Sequence, residues 1–488
     1  MEYISTRDKN NTVSSAKAII EGIAKDGGLF VPKELKPIED LNSLAGYSYD
    51  KLCKYILSYF FDDIKYGLDE AVDRAYDENF KNGVLKIRDF GDIAFLELYH
   101  GVSLSFKDIA LSILPQLMKL SMEKEKIQED MLILTATSGD TGKAALEGFK
   151  NLDRFKVAVF FPDDGVSFIQ ERQMITQEGN NTYVFRLMGN FDDAQREVKD
   201  LFTDSEFLEV LRKMNLRLSS ANSINIARLF PQVVYYIYTY LENLNNGKLS
   251  KGDKINFCVP TGNFGNVLAA YYAYKLGVPI NKLIVASNAN NVLADFFKTK
   301  KYDSNRKLIK TISPSMDILI SSNLERLLFD LTNDDELVKE KMTNLKECGY
   351  YDIDIDTDLF FSDFMKQDEV EMYIKFVFDK YNYIIDPHTA VAFGVYSKYL
   401  AKTNDSTYTV IVSTASPYKF PKEILKAFNI NSKDELDSIN KLSILSGTEI
   451  PPQILDLFNK KKTRDIVVEK GKMREKLLNT IKQGDLCV

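Results

Sequence analysis

Short runs of consecutive apolar residues recur through the middle of the chain, each too short for a helix and most followed by a helical pattern. Ala94–Leu98, Met131–Thr135, Lys156–Phe161, Thr182–Leu187, Lys254–Pro260, Lys282–Ser287 and Thr407–Ser413 read as strands buried on both faces. Helical stretches separate most of them, among them Asp108–Leu120, Gly142–Lys150, Asp192–Phe202 and Ala221–Leu241. This alternation predicts parallel sheets joined by right-handed crossovers. The first ninety residues follow another pattern. Ser14 or Ser15 caps a helix with Ile19, Ile20, Ile23 and Ala24 inward, and Gly27-Gly28 is expected to stop it. Tyr49–Phe60 and Leu68–Phe80 continue as helices, and Asn82-Gly83 marks a turn. Residues 188–253 read as a mostly helical join between two α/β lobes. Residues 300–380 read as irregular to helical, and 423–488 as polar and Lys-rich without a motif. The expected division is a helical N-terminal domain over 1–90 and a region of two α/β lobes over 91–488.

Composition narrows the class. The 488 residues are 45% hydrophobic and 27% charged, which excludes a largely disordered chain. Sixty-three Lys and Arg against seventy Asp and Glu give a net charge of -7, which argues against nucleic acid or an anionic membrane as partner. Cys53, Cys258, Cys348 and Cys487 are scattered, and His100 and His388 are the two histidines. Neither set makes a compact metal centre or a disulfide framework. Met1–Asp8 is charged, and no run of about 18 apolar residues occurs. A reduced, cytoplasmic protein is the expectation.

Three strand-to-helix turns carry candidate chemistry. Gly262-Asn263-Phe264-Gly265-Asn266 opens a helix, where glycines let amides approach an anion and the helix end adds positive partial charge. A tight turn that simply needs glycine reads equally well, and the dinucleotide pattern is absent. Thr137-Ser138-Gly139-Asp140-Thr141-Gly142-Lys143 invites a P-loop reading. That reading fails, because Thr137 and Ala144 stand where Gly and Ser or Thr are required. A hydroxyl-rich turn suited to carboxylate or phosphate remains, beside a plain capping loop. In the segment His100–Asp108, Lys107 begins an apolar helix. The helix dipole and partial burial favour a neutral amine there, while a solvated helix-end lysine is the plainer reading. Two anion-friendly turns and one amine, all at strand C-terminal ends, together suggest a phosphorylated aldehyde cofactor, pyridoxal phosphate.

The same segments resemble the threonine synthase family of fold-type-II pyridoxal-phosphate enzymes. Tyr3-x-Ser5-Thr6-Arg7 and Asp26–Pro32 resemble its N-terminal signature, and His100–Asp108 its cofactor-lysine motif. Gly262–Asn266 is similar to its phosphate loop and Thr137–Gly142 to the turn beside ring and substrate. Phe191–Gln195, Ser219–Arg228, Ser313–Asp317, Asp386–Ala390 and Ser413–Phe420 follow in matching order, to about residue 422. Val102 and Ser103 replace a usual Pro-Thr pair, and Ser105 a usual Ala, which concerns loop shape. The resemblance implies a two-lobed α/β fold with parallel-rich twisted sheets after a mainly helical N-terminal domain. It implies Lys107 as the Schiff-base lysine, and Gly262, Asn263, Phe264, Gly265, Asn266 and Thr414 as cofactor contacts, with Thr414 on the ring nitrogen. Asp140 is implied near the ring oxygen. Thr137, Ser138, Thr141, Asn222, Ser223 and Arg228 become substrate contacts, although Arg228 also reads as part of a solvated helix face.

The implied reaction is conversion of O-phospho-L-homoserine and water to L-threonine and phosphate, the last step of threonine biosynthesis, with Lys107 moving protons. A related pyridoxal-phosphate dehydratase or phospho-lyase is the alternative enzyme, and a non-catalytic ligand sensor or scaffold the alternative class. His100 reads as structural. The oligomeric state is left open.

Overall fold

The computed structural model describes residues 1–76, 78–137, 139–163, 165–463 and 465–485. It divides into two compact units, Met1–Glu125 with Ser223–Ile450, and Lys126–Asn222 with Pro451–Val488. Residues 1–90 lie within the first unit.

Among the described residues, the main sheet of the first unit has six strands. Their order is Phe360–Phe364, Ile280–Ser287, Ile255–Pro260, Thr409–Ser413, Ile93–Glu97 and Lys86–Asp89. All neighbours pair in parallel except the last two, which are antiparallel. The central strands Ile255–Pro260, Thr409–Ser413 and Ile93–Glu97 are buried at every position. That accounts for their unbroken apolar runs, because helices cover both faces of such a sheet. Parallel pairing also sets their C-terminal ends along one edge, where open α/β sheets bind ligands.

The N-terminal helices form as expected at Tyr49–Phe60, whereas the helix starting at Leu68 ends at Tyr76, with a 3-10 turn at Glu78–Phe80. Ser14 caps the helix Ser15–Glu21 through Lys17 N–H at 3.0 Å. That helix stops at Gly22, with φ 68°, rather than at Gly27-Gly28. Gly22 N–H returns to Ala18 O with φ 68° and ψ -33°, a positive-φ combination that lies outside the left-handed helical region and favours glycine. To these helices the structure adds a small antiparallel sheet of Asp8–Ser14, Glu2–Ser5 and Phe30–Pro32. Asp8–Ser14, of sequence DKNNTVS, is mostly polar and lacks the alternation that marks a half-buried strand.

The second unit is built on an all-parallel five-stranded sheet, ordered Ile466–Glu469, Thr182–Met188, Phe155–Pro162, Asp130–Ala136 and Leu216–Ser220. Leu216–Ser220 falls inside the region read as a helical join, and Ile466–Glu469 inside the motif-free C-terminal stretch. Both are edge strands: Leu216–Ser220, LRLSS, is too polar to stand out, and Ile466–Glu469 is only four residues long. The core on one face gathers Leu132, Leu134, Phe160, Phe185, Val198 and Phe207 with Val468, Leu477 and Ile481 from the C-terminal segment. Among the described residues no helix is long and apolar enough to cross a membrane.

Candidate active site

Sheet order decides what meets at the edge of the first unit. Ile93–Glu97 leads into the loop that delivers Lys107, Thr409–Ser413 ends on Thr414, and Ile255–Pro260 ends on the glycine turn. These three strands are neighbours.

Lys107 opens the helix Lys107–Lys124, and the loop before it is pinned to the segment following Ser413. Phe106 N–H donates to Thr414 O at 2.8 Å, Ser416 N–H donates to Leu104 O at 3.0 Å, and Ser105 and Ala415 form an isolated bridge. Asp108 Oδ2 accepts Ser103 N–H at 2.9 Å, and buried Lys419 Nζ donates to Ser103 O at 2.7 Å. Burial pushes the Asp108 carboxyl up to about 6, against the Ser103 hydrogen bonds and the Lys419 charge. A Cβ on Gly101 would lie 2.5 Å from Asp108 Cβ, so the loop closes onto the carboxylate only with glycine there. The replacements in this loop fit one another, because Ser103 Oγ and Ser105 Oγ, both fully buried, lie 2.9 Å apart.

The glycine turn is shaped for a ligand. Phe264 sits at φ 61°, a left-handed conformation costly for a bulky residue, and its ring is buried against Phe297 and Phe360. The amides of Asn263, Phe264, Gly265 and Asn266 donate to no described residue, and Gly265 begins the helix Gly265–Lys275. Asn266 Oδ1 accepts the hydroxyls of Tyr235 and Tyr236, the latter at 2.7 Å. Its Nδ2 is buried without a partner among the described residues. Amides at a helix N-terminus with a buried, unsatisfied amide donor suit a phosphate dianion.

Ser315 joins the lysine to this turn. Lys107 Nζ donates to Ser315 Oγ at 3.2 Å, and a Cβ on Gly262 would meet Ser315 carbonyl O at 2.6 Å. The glycine is therefore a close-approach position rather than only a flexible one. Asn323 braces the far side: its Nδ2 donates to Asn263 O at 3.0 Å and Ser223 Oγ at 3.1 Å. The N-terminal signature supports the same segment. Arg7 pairs with Glu325 through two bonds of 2.8 and 2.7 Å, and Thr6 Oγ1 adds one of 2.6 Å. Fully buried Arg326 donates to Phe30 O, Asn323 Oδ1 and Ile224 O.

Of the anticipated residues, Lys107, Thr414, Ser223 and Gly262–Asn266 gather at this edge of the first unit. Thr414 is 6% exposed. Arg228 lies in the first turns of the helix Ile226–Asn245 and is 4% exposed, which overturns the solvated-face reading. Burial lowers its pKa to about 10, with Tyr235 opposing the shift. His100 Nε2 lies 3.1 Å from Glu97 Oε2, a structural pairing.

In the second unit, Thr137 ends the strand Asp130–Ala136, and its Oγ1 accepts the amides of Gly139 and Gly142, each at 3.0 Å. Asp140 heads the helix Asp140–Gly148 and accepts Gln170 Nε2 at 2.7 Å, which gives this carboxylate a protein partner. Lys143 is tied to Glu147 at 2.8 Å and Gln177 at 2.6 Å, as the failed P-loop reading requires. Thr141 follows Asp140 in that helix, and Asn222 N–H donates to Ser220 Oγ at 3.1 Å. Ser138 lies outside the described residues.

Sequence reasoning did not single out Ser315, Asn323, Asp386 or His388. The blocks Ser313–Asp317 and Asp386–Ala390 were visible as segments without a role.

A lysine at a helix start, a phosphate-type glycine turn and a strand-end hydroxyl along one sheet edge define a pyridoxal-phosphate enzyme. The comparisons agree. Residues 2–76 match the model for the threonine synthase N terminus, 90–343 that for pyridoxal-phosphate dependent enzymes, and 389–476 that for the threonine synthase C-terminal region. Threonine synthase-like 1 of Homo sapiens is 37% identical over the whole chain, which spans 67% of that protein. The crystal structure of threonine synthase from yeast superposes with TM-score 0.87 and 32% identity, covering 100% of this chain and 99% of that one. The structure of pyridoxal-phosphate-bound threonine synthase from Brucella melitensis gives 0.85 and 32%, covering 99% of each. The chain belongs to the threonine synthase family, and its cofactor is pyridoxal phosphate.

Proposed function

We propose that the chain converts O-phospho-L-homoserine and water to L-threonine and inorganic phosphate, acting in the cytoplasm on this small substrate. One observation carries the proposal: Lys107 and the glycine turn close on the same residue, Ser315, in a chain of this family.

Pyridoxal phosphate, when bound, supplies an electron sink for negative charge at the substrate α-carbon. The turn Gly262–Asn266 would hold its phosphate through backbone amides and Asn266 Nδ2. Thr414 would meet the ring nitrogen with a neutral hydroxyl, which favours an unprotonated nitrogen. Lys107 would carry the cofactor and, once displaced by the substrate amine, act as the base. It takes the Cα proton. Loss of a Cβ proton would break the Cγ–O bond and release phosphate; a proton would then return to Cγ, water would add its hydroxyl at Cβ, and Lys107 would return a proton to Cα. Ser223 and Arg228 are assigned to the substrate phosphate, where a buried guanidinium offers a bidentate, charge-assisted contact. Thr137, Thr141 and Asn222 are assigned further polar contacts with substrate.

The test is a product assay on the wild type and Lys107→Ala with O-phospho-L-homoserine. Equimolar threonine and phosphate, absent in the variant, support the proposal. Phosphate with a keto acid and no threonine would favour a phospho-lyase. A cofactor-loaded wild type that yields neither product would remove the substrate assignment.

A further inference from the structure

Ser315 is held with more care than a loop serine needs. Its N–H donates to His388 Nε2 at 3.3 Å, and His388 Nδ1 lies 2.8 Å from Asp386 Oδ1. Since Nε2 accepts from an amide, the ring proton is on Nδ1 and points at Asp386, which fixes one neutral tautomer. Asp386 is fully buried and His388 is 2% exposed. The carboxylate also accepts His388 N–H at 2.9 Å, Thr389 N–H at 3.3 Å and the Thr389 hydroxyl, and Thr389 Oγ1 lies 2.9 Å from Ser413 Oγ at the end of the central strand. Two residues beyond Ser315, Asp317 is gripped by Asn288 at 2.7 Å, Asn290 at 2.9 Å and Thr311 N–H at 2.9 Å. Ser315 thus hangs between the buried Asp386 and the half-buried Asp317, with its hydroxyl on the Lys107 amine and its carbonyl against Gly262.

We propose that Ser315 is a catalytic residue that holds the freed Lys107 amine during proton transfer, and that Asp386 and His388 are the positioning pair that aims it. The inference rests on the reaction proposed above. A hydroxyl is suited to the task because it serves both states of its partner: it donates to the lone pair of the neutral amine and accepts from the ammonium after the proton is taken. The Cα proton moves to Lys107 Nζ and returns from it; Ser315 gains and loses nothing net. A flexible four-carbon side chain otherwise has many rotamers available, and fixing one of them keeps the amine near the reacting carbon. His388 acts at one remove, through the Ser315 backbone.

The test separates proton transfer from phosphate loss. The pyridoxal-phosphate-loaded wild type, Ser315→Ala, Ser315→Thr and His388→Ala would be incubated with L-threonine in D2O. Deuterium entering Cα is followed by NMR, and cofactor content by absorbance. The expected result is full cofactor content in Ser315→Ala with exchange slowed about ten- to a hundredfold at saturating threonine, near-wild-type exchange in Ser315→Thr, and a smaller loss in His388→Ala. Wild-type exchange rates in Ser315→Ala would overturn the proposal alone. Loss of cofactor from Ser315→Ala together with slow exchange in Ser315→Thr would overturn it in favour of a purely structural serine. A wild type that binds cofactor yet exchanges no Cα proton would overturn the reaction itself, and this inference with it.

Discussion

The two glycine turns look alike as sequence and differ as structures. Each follows a strand, opens a helix and is rich in groups that suit an anion. In Gly262–Asn266 the amides from Asn263 onward donate to no described residue, and the turn's shape is imposed from outside by Ser315, Asn323 and the tyrosine pair on Asn266. In Thr137–Gly142 the turn closes on itself, because Thr137 Oγ1 takes two of its amides and Gln170 takes Asp140. The first is a socket whose wall is other chain segments; the second is a turn stabilised by its own hydroxyl. A glycine motif therefore signals backbone approach, and what approaches is decided by where the neighbouring amides point.

The largest effect expected at the socket is chemical: Lys107→Ala should lower turnover by about a thousandfold or more, measured as threonine formed. Gly262→Ala comes next. Its Cβ meets a backbone carbonyl that cannot swing aside, so pyridoxal phosphate should bind at least about tenfold more weakly in an absorbance titration, while the fold persists. The self-closed turn should respond in stability instead. Thr137→Ala leaves two amides without their acceptor and should cost about 1–3 kcal/mol in chemical unfolding, with Thr137→Ser recovering most of it. Should Thr137→Ser remain as unstable as the alanine variant, the hydroxyl is not what closes that turn.

A smaller effect lies in the lysine loop. Burial raises the Asp108 carboxyl to about 6, so the folded state favours the protonated form. Its contribution to stability is complete below the ordinary carboxyl value and is lost as pH rises through about 6. Asp108→Asn should therefore gain melting temperature relative to wild type as pH goes from about 5 to 7. A difference between the two that stays constant over that range would remove the assignment.

How much of this was legible follows from range. Strands buried on both faces announce themselves as apolar runs, so the central strands of both sheets could be anticipated within a residue or two, while the edge strands Lys86–Asp89 and Phe360–Phe364 could not. Asp8–Ser14 could not, being polar, nor could Leu216–Ser220, whose partner strand begins at Asp130. The helix start at Lys107 and the run of amides at the glycine turn were readable because both are local features of the chain. Ser315 was not, since its meaning lies in contacts with Lys107, 208 positions away, and with His388, 73 positions away. The N-terminal signature shows the same limit. Thr6 and Arg7 could be matched as a pattern, but their work on Glu325 is a fact of the fold.

Reductive trapping tests the central claim most directly. The wild type and Gly262→Ala would be loaded with pyridoxal phosphate, reduced with borohydride and digested, and the modified peptide read by mass spectrometry. The account predicts one phosphopyridoxyl group on Lys107 in the wild type and much less in the variant at limiting cofactor. Label on another lysine, or equal labelling of Lys107 in both proteins, would contradict it.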